Sequence, residues 1–340
     1  MTKKIRKVFF LFVFIFLLLS FSYTTVITLP FSAHAMESVY LGGYPIGITA
    51  ESDGLIVKEF INVTTPNGSF SPALQAGLKK GDVIVEINGK KPMDLKQLQN
   101  EISVETEYIT VKVLRNNKEI LYNVKPEKDL TQNERKIGLI LKKDIAGIGT
   151  MTYVTQNGRY GALGHRIGDS FGNDFIYSHG KIYNCEISGY KTATSDVPGE
   201  LIGKIFQNEE IGSIEKNSFC GIFGINDAKN KTGTRINIPL GHKEKVHPGK
   251  ATIYTTTQGN TPKEYNIEII RAFSQETPAE KSMVIRVTDK TLLSTTKGIL
   301  QGMSGSPILQ DGKLIGAVTH VFTNDTTMGY GIYIDWMIDN

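Results

Sequence analysis

Six residues near the C-terminal end, Gly302-Met303-Ser304-Gly305-Ser306-Pro307, restrict the fold more than any other stretch of the chain. Two glycines and a proline bend the backbone sharply and put the Ser304 hydroxyl at the apex of a loop, with backbone N–H groups beside it and little side-chain bulk around it. The loop is anchored to a sheet, because Ile308-Leu309, an Asp311-Gly312 turn and Leu314-Ile315-Gly316-Ala317-Val318 read as two strands joined by a tight hairpin. A serine so placed works as a nucleophile only with a base to take its proton and donors to hold the oxyanion. The amides of Gly302 and Ser304 are the candidate donors. A plain turn explains the same six residues equally well when they are taken alone.

A candidate base stands in Gly161-Ala162-Leu163-Gly164-His165. His165 ends a strand pair that begins with Ile148 to Val154 and turns at Asn157-Gly158, and the small residues before it let the backbone press closely on its neighbours. A histidine base needs an acid or a carbonyl on its second ring nitrogen. Asp169, Asp174, Asp196 and Asp289 compete for that place. His320, in Thr319-His320-Val321, lies on the strand after the serine hairpin, as a second cleft histidine or as a satisfied surface one. The remaining histidines, His34, His179, His242 and His247, have no metal-ligand spacing, and neither a metal nor another cofactor is expected.

The chain has 340 residues, enough for about two domains, and a formal charge of +4. That charge sits entirely in Lys3, Lys4, Arg6 and Lys7, and residues 1–35 contain no acid, so the rest is neutral and nothing points to nucleic acid. Val8 to Leu19 is unbroken apolar, and Ala33-His34-Ala35 offers a small-residue cleavage site. Residues 1–35 therefore read as an export signal or, if the apolar tract extends to Leu29, as a membrane anchor. Export would permit a disulfide between Cys185 and Cys220, although buried free thiols are the better expectation for two cysteines in so long a chain.

Between Ser38 and Lys125 short strands alternate with helical stretches. Ser71 to Asp82 predicts a short helix stopped by glycine, Val83 to Ile87 a strand turned at Asn88-Gly89, Met93 to Ser103 a helix with Leu95, Leu98 and Ile102 on one face, and Tyr108 to Leu114 a strand. Residues 126–136 are polar and read as an exposed linker. Residues 137–340 read as many short strands.

The serine and histidine segments resemble the chymotrypsin-like serine peptidases. They resemble the SpoIVB peptidases of endospore-forming bacteria more closely still, in Gly161 to Asp169 (GALGHRIGD) and Gly302 to Ile308 (GMSGSPI). Residues 38–125 resemble a PDZ domain of the bacterial protease-associated kind. The resemblance implies a mainly β chain, a PDZ domain followed by a chymotrypsin-like double β-barrel. It implies Ser304 as nucleophile, His165 as general base and Asp289 as the orienting acid, whereas the His-to-Asp interval of chymotrypsin-like enzymes favours Asp196. It also implies Pro45-Ile46-Gly47-Ile48 as the PDZ loop that caps a peptide with backbone N–H groups. The role it implies is that of an exported peptidase acting between the forespore and mother-cell membranes. There it would cut itself and the extracytoplasmic part of a membrane regulatory complex, activating an intramembrane protease and so a late sigma factor. A PDZ adaptor on a decayed, non-catalytic peptidase scaffold is the alternative from another class.

Overall fold

The computed structural model describes residues 38–338 apart from 93, 117, 168–176, 194–198 and 228–235. The export segment, Asp169, Asp174 and Asp196 lie outside the described residues. In chain order the strands are β1 (Ser38–Leu41), β2 (Pro45–Phe60), β3 (Val63–Thr65), β4 (Gly68–Phe70), β5 (Val83–Ile87), β6 (Ile109–Arg115), β7 (Lys118–Val124), β8 (Glu127–Lys128), β9 (Arg135–Lys136), β10 (Leu139–Val154) and β11 (Arg159–Ala162). They continue as β12 (Tyr177–Lys191), β13 (Glu200–Ser218), β14 (Gly221–Asn226), β15 (Asn237–Pro239), β16 (Gly249–Thr255), β17 (Lys263–Ala272), β18 (Met283–Val287), β19 (Pro307–Gln310), β20 (Lys313–Val321) and β21 (Met328–Tyr333).

Two closed rings organise these strands. β10 pairs with β11, β11 with β14, β14 with β13, β13 with β12, β12 with β2 and β2 again with β10, all antiparallel, so the first ladder returns to its starting strand. The second barrel runs β16-β17-β18-β21-β20-β19. Strand alternation explains both interiors, since every second side chain points inward. In β17 the inward set is Tyr265, Ile267 and Ile269, and in β18 it is Met283, Ile285 and Val287. The first barrel is filled by Ile46, Ile48 and Ala50 from β2 with Met151, Ile182 and Ile222 from its neighbours. The C-terminal helix Ile334–Ile338 ties the barrels together, because the Tyr153 hydroxyl on β10 donates to the Met337 carbonyl at 3.0 Å.

The PDZ part is built on the second half of β2, where Leu55 and Ile56 pair with β5, and the sheet continues through β6 and β7. Its helices form where their caps are: Ser71 accepts from the Leu74 amide ahead of Pro72–Gln75, and Asp94 accepts from the Gln97 amide ahead of Leu95–Ile102. Leu55, Val57, Leu78, Ile84, Leu98 and Val111 make its separate core.

Three expectations need correction here. Pro45-Ile46-Gly47-Ile48 is not a loop: it is a stave of the first barrel, with Gly47 opposite Ile148 of β10 on one side and Tyr183 of β12 on the other. Both edges are taken, so no peptide can add there. Residues 38–52 accordingly pair with the barrel and not with the PDZ sheet, β1 lying between β10 and β15. The polar tract 126–136 is an ordered turn, in which β8 pairs with β9 and the buried Asp129 carboxylate accepts from the amides of Thr131 and Gln132. Cys185 and Cys220 are buried and form no disulfide.

Candidate active site

The serine loop lies where the barrels meet, and β10 fastens it. The Thr150 amide donates to the Ser304 carbonyl at 3.0 Å, the Thr150 hydroxyl to the Gly302 carbonyl at 2.8 Å and the Thr152 hydroxyl to the Gly305 carbonyl at 2.8 Å. From inside its own barrel the loop is held by the Met303 amide donating to Leu300, the Gly305 amide donating to Val318, and the Ser306 hydroxyl donating to the Met303 carbonyl. Among the described residues the amides of Gly302 and Ser304 donate to no protein acceptor. The half-buried Ser304 Oγ gives its own proton to the Thr319 carbonyl at 2.7 Å.

His165 is aimed by the two residues before it. Leu163 and Gly164 both sit at φ +70°, a left-handed pair that turns the chain off the end of β11. A left-handed conformation costs a leucine about 1–2 kcal/mol, and the contact of this turn with the serine loop holds it there. Gly305 is the contact point: a Cβ on it would lie 2.1 Å from the Thr150 carbonyl oxygen and 2.5 Å from the Leu163 nitrogen.

The His165 Nδ1 atom is 2.8 Å from the Arg166 carbonyl oxygen. A carbonyl only accepts, so Nδ1 carries the proton and Nε2 keeps its lone pair, the form in which the ring takes up a proton. Burial holds the His165 pKa below the ordinary histidine range, partly offset by the bond to Arg166 and by the charge of Glu280. The His320 ring stands 5.0 Å from it, centroid to centroid. Burial, and then the charges of His165 and Lys281, push His320 down to about 4. Both rings are neutral at pH 7.

Ser304 and His165 line one cleft of about 440 Å³, together with Gly302, Thr319 and His320. Asp289 is elsewhere. It caps the helix Lys290–Thr296, its carboxylate accepting from the amides of Thr291, Leu292 and Asn266 and, among the described residues, touching no histidine. The expectation of Asp289 on the His165 ring is therefore corrected in this structure: the carbonyl of Arg166 takes the place meant for an acid. No sequence pattern marks such a carbonyl, or that of Thr319. The Thr150/Thr152 alternation, two hydroxyls on one face of β10, was the available hint for the stitching of the loop.

The sequence model for SpoIVB peptidase S55 matches residues 133–338, more than half of the chain. The chain belongs to the SpoIVB peptidase S55 family. A PDZ domain model matches residues 68–115 ahead of the S55 region. A stretch of 78 residues is 33% identical to serine protease HTRA3 of Rattus norvegicus, covering 23% of this chain and 15% of that protein, so only a small part of that relative's length is matched. The solved structure of the Rv3671c protease in its inactive form is similar over 56% of this chain and 81% of that one, at 11% identity and a TM-score of 0.33. The Ser304 loop and the His165 turn both fall inside the S55 region.

Proposed function

We propose that this S55 peptidase cleaves proteins with Ser304 as nucleophile and His165 as general base, and that it acts after export. The observation that carries the reading is that Ser304, His165 and Gly302 line one cleft, with His165 Nδ1 on the Arg166 carbonyl and, among the described residues, no acceptor on the amides of Gly302 and Ser304. Catalysis begins when the hydroxyl leaves Thr319 and turns to Nε2. His165 takes its proton as Oγ attacks the scissile carbonyl, and the amides of Gly302 and Ser304 hold the oxyanion. The imidazolium then gives its proton to the leaving amine, and water, deprotonated by the same ring, frees the acyl group. The Arg166 carbonyl and Glu280 are the groups that stabilise the transient charge on His165.

The biological part of the proposal rests on the family and on the basic-apolar N-terminus. The substrates are the chain itself and the extracytoplasmic part of a membrane regulatory complex, whose cleavage frees an intramembrane protease to activate a late sporulation sigma factor. A fluorophosphonate probe tests the chemistry. Wild-type protein should be labelled, while folded Ser304→Ala and His165→Ala should not, and turnover should fall roughly 10⁴-fold or more in each. The double variant should be little worse than either single one. An unlabelled wild type would favour the non-catalytic adaptor. Self-cleavage is tested by mixing active protein with full-length Ser304→Ala and looking for new fragments.

A further inference from the structure

We propose that the substrate side chain lodged beside Ser304 is aliphatic, and that Ile299, Leu300 and Val321 set this preference. The inference rests on Ser304 being the nucleophile. On the second-barrel side of Ser304 the cleft has two walls, Ile299 to Gly302 and the end of β20 from Thr319 to Val321. Both walls are fixed. The Ile299 amide donates to the Thr326 carbonyl at 2.8 Å, Leu300 is 1% exposed, and Val321 pairs with Gly329. Among the described residues no Lys, Arg, Asp or Glu lines the cleft; the polar side chains there are Gln301, Ser304, Thr319, Thr323 and the two histidines. Glu280 and Lys281, the charges that act on those rings, are outside the lining, Glu280 beside Arg166 and Lys281 over the Tyr330 ring. A charged substrate side chain would lose water there and gain no counter-charge, whereas an aliphatic one gains apolar contact.

The opposite wall supplies a grip for the main chain. Ile145 to Ile148 of β10 line the cleft, pair with β2 along one edge and carry no ladder on the other among the described residues. Among the described residues nothing lies within 4 Å of a Cβ built on Gly147, so the face of the strand is uncrowded there, and an extended peptide can add to the unladdered edge. Main-chain bonds of that kind are indifferent to sequence, which leaves the choice of substrate to the side-chain walls.

The test is cleavage of a peptide set that differs only at the residue before the scissile bond, read by mass spectrometry, together with fluorophosphonate labelling of the same preparation. Peptides with Leu, Ile, Val or Met should be cut with kcat/KM at least about 100-fold above those with Lys, Arg, Asp or Glu, the scale on which pocket contacts discriminate. Val321→Glu, and Thr323→Asp at the exposed rim in case the first variant fails to fold, should shrink that ratio and raise cleavage after Lys and Arg. Equal rates across the set, or a preference for charged residues in labelled wild-type protein, would overturn the aliphatic assignment while leaving Ser304 in place. A wild type that is neither labelled nor active would overturn both.

Discussion

At the scale of single residues the two groups proposed for catalysis are each occupied by a main-chain carbonyl: Ser304 by Thr319, and His165 by Arg166. For the proposed chemistry the second bond is useful and the first must break. Because burial keeps His165 below the usual histidine range, the base stays neutral to more acidic pH than a solvent-exposed histidine. The acid limb of kcat/KM should accordingly lie below pH ~6.5. Glu280 raises the His165 pKa, so Glu280→Gln should move that limb to still lower pH, and a move upward would refute the attribution. Stability follows the same sign. A folded-state pKa depressed in both His165 and His320 means that the unfolded chain binds protons first, so stability should fall from about pH 6.5 towards about 4. Asp289 offers a different residue-scale test. Asn caps a helix as well as Asp does, whereas Ala does not. Asp289→Ala should cost about 1 kcal/mol of stability and Asp289→Asn close to none. Turnover in Asp289→Asn then measures the carboxylate's charge by itself. A loss near 10⁴ with unchanged melting would mean that Asp289 reaches His165 in the working state.

At the scale of elements, the candidate active site is a junction of three pieces: the serine loop, the turn Leu163–Gly164 and strand β10. Gly305 is the point where all three touch, and its φ of +94° excludes a relaxed side chain as firmly as the 2.1 Å approach to Thr150 does. Gly305→Ala should therefore destabilise the protein by about 1–3 kcal/mol and also separate Ser304 from His165. Activity should drop further than stability, and hydrolysis by the fraction that remains folded is the measurement. How much was legible in the sequence follows the range of the forces. Local signals gave the hairpins at Asn157-Gly158 and Asp311-Gly312 and the capped helices of the PDZ part. The serine and histidine segments, each written in glycines and one reactive side chain, were legible as a pair. What failed depends on distant partners. Pro45 to Ile48 has the composition of a peptide-binding loop, but two strands more than 90 residues further on claim its edges. The carbonyl of Arg166 carries no side-chain signature.

At the scale of the whole molecule, β2 and β10 each run through both parts of the protein. Pro45 to Glu51 of β2 pairs with Asp144 to Thr150 of β10 in the first barrel, and Ile56 to Phe60 pairs with Leu139 to Lys142 in the PDZ part. The PDZ part is thus joined to the peptidase through two continuous strands and is no detachable recruiting module. A chain beginning at Ile137 lacks β1 and β2, leaves the first barrel open between β10 and β12, and should be neither cooperatively folded nor labelled by fluorophosphonate; an active fragment of that kind would refute this architecture. Gly47 gives the finer test. A Cβ there would lie 2.4 Å from Cγ2 of Ile205 on β13, against a side chain of the neighbouring barrel wall. Gly47→Val should then deform the barrel that carries His165, and rates on a short fluorogenic peptide and on a full-length protein substrate should fall by the same factor. A loss confined to the protein substrate would instead make this stretch a recognition element, with peptide binding at an edge that the closed barrel occupies.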